Sequence, residues 1–172
     1  MAPSSLHHDL QWMALRWLGV RATASGIRGA TEVYVQKGYV ADAAALCSLQ
    51  HRFWDQYRGS ISLSCSSYVS CIFEIKVSRA DYLATFPVRQ PPRKCRVYPY
   101  ADLHWIVTPR GVTTADEHTG FWGLLEISGG GLRQVRPPRI TPRTLLERDR
   151  FAHRLIWPMM QKRQQWRRVK TD

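Results

Sequence analysis

Three charged side chains stand among residues that otherwise suit a sheet core. Asp42 is the charged member of Val40-Ala41-Asp42-Ala43-Ala44-Ala45-Leu46, and Glu74 and Lys76 interrupt Cys71-Ile72-Phe73-Glu74-Ile75-Lys76-Val77. Strand side chains alternate between faces, so Glu74 and Lys76 share one face while Phe73, Ile75 and Val77 take the other. An ionised carboxylate on a half-buried strand costs several kcal/mol unless it is paired or bound to a cation. Asp42 and Glu74 meeting on adjacent strands would make a hard oxygen site for Mg²⁺ or Mn²⁺. Such an ion lowers the pKa of a bound water and steadies charge on a scissile phosphate. Lys76 would then orient the nucleophile or stabilise the transition state, so the chemistry is phosphodiester hydrolysis. Without a cation, Glu74 and Lys76 read as an exposed ion pair worth about 0.2–1 kcal/mol.

The elements that must carry these residues follow from periodicity. Leu6, Leu10, Met13 and Trp17 recur at helical spacing, with Ser4 or Ser5 able to cap and Gly19 able to end a helix over 5–18. Residues 19–30 are small and polar and read as a connection. Thr31–Val35 and Tyr39–Leu46 flank Gln36-Lys37-Gly38 as a hairpin. Glu32 lies on the face opposite Val33 and Val35, where it could supply a further acid. Residues 48–58 look helical, 60–70 are Ser-rich, and Val69–Val77 is the most strand-like segment. Ser78-Arg79-Ala80-Asp81 fits a capping box, which predicts a helix from Ser78 that stops before Pro87 and explains Asp81 as a cap. Leu103–Thr108 reads as a central strand, with His104 as a hydrogen-bonded core residue. Phe121–Ser128 and Leu132–Arg136 form a second hairpin across Gly129-Gly130-Gly131. Thr141-Pro142 suits the start of a last helix that Pro158 ends. His7-His8-Asp9 reads as a helix start, and Asp116-Glu117-His118 as a solvated loop. The order is that of an α/β fold around a mixed sheet.

Charge limits the partners. The chain of 172 residues carries 25 Lys+Arg against 13 Asp+Glu, a net charge of +12. That balance points to a polyanion, and nucleic acid is the commonest. Residues 133–172 hold 12 basic and 3 acidic residues, and Arg outnumbers Lys 20 to 5 over the whole chain, which suits phosphate oxygens. Arg89, Arg93, Lys94 and Arg96 in a Pro-rich loop, and Arg133, Arg136, Arg139 and Arg143 beyond it, are the expected backbone contacts. The tail Lys162-Arg163-Gln164-Gln165-Trp166-Arg167-Arg168 adds an aromatic among bases. Cys47, Cys65, Cys71 and Cys95 lack zinc-ligand spacing and read as buried thiols. No apolar run reaches the roughly 18–20 residues of a membrane span, and no secretory leader is visible. The expected partner is therefore a nucleic acid rather than a membrane, and the expected location cytoplasmic.

The residues also resemble a family. Asp on one strand followed by E-x-K on the next resembles the core motif of the PD-(D/E)XK nuclease superfamily. More narrowly, Tyr39-Val40-Ala41-Asp42 with Glu74-Ile75-Lys76-Val77-Ser78-Arg79-Ala80-Asp81-Tyr82 looks like the MmcB-like DNA repair family, whose members show "R-A-D" and then "E-x-K-x-S-x-x-D-F". Ala101-Asp102-Leu103-His104-Trp105-Ile106-Val107 resembles that family's next core strand. The likeness spans 10–156 and is strongest over 31–46 and 71–86. It implies a two-layer restriction-endonuclease-like core of α-β-β-β-α-β topology, here with an added hairpin and a C-terminal helix. It also implies a Mg²⁺-dependent (or Mn²⁺-dependent) site and DNA as substrate, in repair or mobile-element processing. A homodimer and repair-complex proteins are the partners it brings with it. The division expected is a nuclease-like domain over 1–140 and a basic helical extension over 141–172. Val40 replaces the motif Arg, Ala84 and Thr85 stand where a second acid often follows, and an insertion over 47–70 separates Asp42 from Glu74. The alternative is a catalytically inactive nuclease-fold adaptor that binds DNA, and charge alone also leaves RNA open.

Overall fold

The computed structural model describes residues 5–21, 27–36, 39–48, 68–86, 100–117, 120–141, 143–144 and 146–155. Helix α1 (Ser5–Arg21) precedes strands β1 (Ile27–Gln36), β2 (Tyr39–Ser48) and β3 (Tyr68–Ile75). Helix α2 (Arg79–Thr85), strands β4 (Leu103–Thr108), β5 (Gly123–Ser128) and β6 (Gly131–Arg136), and helix α3 (146–155) follow. The six strands form one mixed sheet in sequence order. β1, β2 and β3 are antiparallel, β3, β4 and β5 are parallel, and β6 returns antiparallel to β5. Gly129 and Gly130, with φ of +56° and +78°, supply the two left-handed residues that a tight β5–β6 turn requires.

Both faces of the sheet are covered, so the expected two-layer arrangement is replaced by helices on each side. Leu10, Ala14, Trp17 and Leu18 of α1 pack on Phe73, Trp105 and Leu125, with the Phe73 and Trp105 rings stacked at 5.3 Å. On the opposite face Tyr82 and Phe86 meet Ile72, Ile106 and Trp122, together with Phe151 and Leu155 of α3. The physical reason lies in β4, every residue of which is buried. A strand buried on both sides needs cover on both sides. Among the described residues no helix is long and apolar enough to cross a membrane.

Two boundaries differ from expectation. Strand β1 starts at Ile27, inside the stretch expected as a connection, because Ile27–Thr31 pairs with Ala43–Cys47. Gly29 is needed there: a Cβ would come 2.7 Å from Leu15 Cδ2, so the helix sits directly on this part of the hairpin. The last helix is capped by Thr144 rather than by Thr141. Glu147 N–H donates to Thr144 Oγ1 at 3.3 Å, and Glu147 Oε2 accepts from Thr144 N–H at 2.8 Å, a complete capping box. The Thr144 N–H and hydroxyl, both donating to Oε2, hold the Glu147 carboxyl below its usual pKa. The helix and Ser-rich stretch expected over 48–58 and 60–70 fall largely outside the described residues, as does the tail beyond 155; within them, Ser48 and 68–70 are strand.

Asp102, fully buried, fastens the C-terminal segment to the sheet. Its carboxylate accepts from Ser70 N–H (2.8 Å), Ser70 Oγ–H (2.7 Å), Arg143 N–H (2.8 Å) and the Arg148 guanidinium (2.8 Å). The stretch expected as an extension thus enters the core through Arg148, Phe151 and Leu155. Removing the cation would strand a buried carboxylate. Arg148→Ala should therefore lower the unfolding free energy in urea by about 3–5 kcal/mol, whereas Arg150→Ala, on an exposed position, should leave it nearly unchanged.

Candidate active site

The candidate site forms where β2 parts from β3. Their pairing runs from Ser48↔Tyr68 to Ala43↔Phe73, and the next rung would join Asp42 to Glu74. Instead the Asp42 carboxylate takes over as acceptor, with Oδ2 receiving Ile75 N–H at 2.7 Å. The side-chain alternation of β2 changes step at this residue, since Ala41 packs in one core and Ala43 in the core of the opposite face. Strand β1 changes step with it. Ala30 and Val33 pack on the same face, and Glu32 between them has φ +54°, a left-handed conformation rare for a residue with a side chain. Thr31↔Ala43 and Val33↔Ala41 bracket this point, so Glu32 and Asp42 lie opposite one another.

Lys76 extends the line of β3, its N–H donating to Val107 O at 3.0 Å. Its ammonium lies 3.3 Å from Glu74 Oε1 and 3.6 Å from Asp81 Oδ1. Both Glu74 and Lys76 are buried, at 2% and 6% exposure, so this is not the solvated surface pair that spacing alone would allow. The other Glu74 oxygen accepts from Tyr39 Oη–H at 3.2 Å, and Tyr39 stacks on Tyr100. Burial, then the Glu74 charge, pushes the Tyr39 phenol well above its usual pKa, so it remains a donor. Asp81 caps α2 as expected and also reaches the site: its N–H donates to Ser78 Oγ, and its carboxylate accepts from Val77 N–H while lying beside Lys76.

The structure therefore brings Asp42, Glu74, Lys76 and Glu32 into one neighbourhood and adds residues not expected there. His7, read from sequence as part of a helix start, places Nε2 3.5 Å from Asp42 Oδ1. Gln11, fully buried one turn later, donates from Nε2 to Glu32 Oε1. The helical spacing of His7 and Gln11 was visible in the sequence; that this turn of α1 crosses the β1–β2 irregularity was not.

Other candidates lie elsewhere or are otherwise occupied. Arg89, Arg93, Lys94 and Arg96 lie outside the described residues. Arg133 and Arg139 are exposed. Arg136 donates to Ala115 O and Gly120 O, and Arg143 to Thr141 O and Glu147, so these two guanidinium groups are engaged within the protein. Glu117 pairs with Arg79, which holds its carboxyl below the usual range. His104 is in the core as expected, but among the described residues neither ring nitrogen has a hydrogen-bond partner. Burial holds its pKa down to about 3, and the imidazole stays neutral against Phe121 and Trp122. Cys47 and Cys71 are buried free thiols, as expected, whereas Cys65 and Cys95 lie outside the described residues.

Negative charge dominates the site. Burial, and then the neighbouring Glu74, push the Asp42 carboxyl up to about 7, against the Ile75 N–H and Lys76, which act to lower it. The folded chain thus holds the Asp42 proton more tightly than the unfolded chain does. Unfolding free energy should fall as pH rises from about 4 to about 7, because ionising this group is harder in the folded state. In EDTA, Asp42→Asn should remove that loss, making the variant more stable than the wild type at pH 8 by urea denaturation, with little gain at pH 4.

No protein family model matches the chain, and no curated protein is similar to it. Among solved structures, a protein of unknown function from Silicibacter pomeroyi has a similar fold, with a TM-score of 0.63 and 16% identity. The likeness covers 95% of this chain and 94% of that one.

Proposed function

We propose that the protein is a divalent-metal-dependent nuclease that hydrolyses DNA phosphodiester bonds, built on a restriction-endonuclease-like core of the PD-(D/E)XK type and closest to the MmcB-like repair family. The observation that carries this reading is the convergence of Asp42, Glu74 and Lys76 at the parting of β2 and β3: Asp42 bonds the peptide N–H of Ile75, the residue between the other two. The element order, with three antiparallel strands, a helix and then a parallel strand, supports the same assignment.

The donor set fits a hard divalent cation. Asp42 and Glu74, with Glu32 nearby, offer carboxylate oxygens beside one ammonium, and burial together with the Glu74 charge raises the Asp42 carboxyl. Bound there, Mg²⁺ or Mn²⁺ would supply Lewis acidity toward a phosphate oxygen and lower the pKa of a coordinated water. The chain's own part is positional. Ile75 N–H fixes Asp42, Tyr39 fixes Glu74, and the two carboxylates beside Lys76 keep its ammonium facing the site. A Lys76 N–H turned toward the phosphate would stabilise the charge that develops as the P–O bond breaks. The net charge of +12 brings the polyanion to the protein.

Asp42→Ala and Lys76→Ala should each lower plasmid nicking in Mg²⁺ or Mn²⁺ by about 10²–10³-fold, the usual cost of removing a group that meets transition-state charge. Equal nicking by wild type and both variants would trace the activity to a contaminant and end the proposal. Salt-sensitive DNA binding without nicking, and without Mn²⁺ affinity that depends on Glu74, would instead identify a non-catalytic adaptor. Competition between DNA and RNA duplexes reports which nucleic acid is preferred.

A further inference from the structure

We propose that His7 is a nitrogen ligand to the divalent cation of this site and makes it selective for Mn²⁺ over Mg²⁺. The proposal deepens the nuclease reading and rests on it for the presence of a cation. Three ligand atoms, one each from His7, Glu32 and Asp42, lie within 4.8 Å of one another. They come from three separate elements, α1, β1 and β2, and converge through two local departures from regular structure. One is the left-handed Glu32, the other the change of step at Asp42.

The tautomer of His7 follows from its neighbours. Glu32 can only accept, so the Gln11 side chain presents its NH₂ group to Glu32 Oε1. That same nitrogen lies 3.2 Å from His7 Nε2, and an NH₂ group can only donate. Nε2 is then the acceptor of the Gln11 N–H, and a cation would take that lone pair by displacing the Gln11 contact. The Gln11 amide oxygen meets His8 Nδ1 at 3.1 Å, consistent with this orientation. Gln11 is fully buried and acts as a positioning residue for both His7 and Glu32. The site thus gathers one imidazole nitrogen and two carboxylates, with Nε2 3.5 Å from Asp42 Oδ1. A cation placed among them would meet one nitrogen and two carboxylate donors.

Imidazole changes which cation. Carboxylate and water shells suit Mg²⁺ and Mn²⁺ alike, whereas a nitrogen donor favours the transition ion. Mg²⁺ also dehydrates reluctantly and keeps to oxygen.

The test uses Mn²⁺ alone as the probe with the full chain. Electron spin-echo envelope modulation of the bound Mn²⁺ should show coupling to an imidazole ¹⁴N in the wild type and lose it in His7→Ala. Isothermal titration should show Mn²⁺ affinity falling by about 10–100-fold in His7→Ala, at least what loss of a supporting partner costs a metal site, while Mg²⁺ affinity changes less than threefold. His7→Gln, which keeps a polar side chain in the first turn of α1, should likewise lose the ¹⁴N signal, and circular dichroism checks that both variants fold. Mn²⁺ bound in a Glu74-dependent way with no ¹⁴N coupling, or with coupling that survives His7→Ala, would overturn the assignment and leave the nuclease reading standing. No Mn²⁺ binding by the wild type would overturn both. A His7-dependent signal in a protein whose nicking equals that of Asp42→Ala would support the ligand and sink the nuclease.

Discussion

The bond from Ile75 N–H to the Asp42 carboxylate sets the geometry of the whole site. In a continuous ladder that N–H would seek a backbone carbonyl on β2, and Asp42 would stand opposite Glu74. By taking the carbonyl's place, the carboxylate ends the pairing of β2 with β3 one rung early while keeping the Ile75 N–H satisfied. The opening admits the Glu74 and Lys76 side chains from one direction and the first turn of α1 from the other. Each later feature, including the buried ammonium, the Tyr39 bond to Glu74 and the position of His7, presupposes that opening.

Two aspartates, Asp102 fully buried and Asp42 half-buried, show how one side chain serves opposite ends. Asp102 is surrounded by donors: a hydroxyl, two backbone N–H groups and a guanidinium together neutralise it and tie β3, β4 and α3 into one body. Asp42 has one backbone N–H and a nearby ammonium, set against two further carboxylates, and its proton is held up to about pH 7. The first is a completed network of the kind that specifies a unique core. The second is a carboxyl raised by burial first and by the neighbouring Glu74 charge next, the kind of perturbed group that clusters at functional sites.

The surroundings of the site are rigid. Phe73 and Trp105 stack beneath the site and Trp17 packs edge-on against Trp105, so β3 and β4 are clamped by α1 on one face. Tyr82 and Phe86 of α2 close the other face with α3. The capping of α2 by Ser78 and Asp81 follows directly after Lys76, so the helix start and the lysine are fixed by the same short stretch.

Much of this was legible in the residues themselves. Alternation marked β3 and β4, the Ser78–Asp81 pattern placed α2, and paired glycines placed the β5–β6 turn, because these signals act over a few neighbouring residues. The three charges amid apolar strands marked Asp42, Glu74 and Lys76, since burial of a charge demands a reason wherever it occurs. The sequence could not tell that a capping box at Thr144–Glu147 would outcompete Thr141-Pro142, because Thr141 is drawn away to donate to Ala101 O. Nor could it place His7 at the site: nothing local distinguishes that imidazole from His8, both meet Gln11, and only the packing of α1 across the hairpin brings His7 to Asp42. Local chemistry therefore determined which side chains needed an explanation. Long-range packing decided which of them meet, because the contacts joining residues 7, 32, 42 and 74 exist only once the sheet has formed.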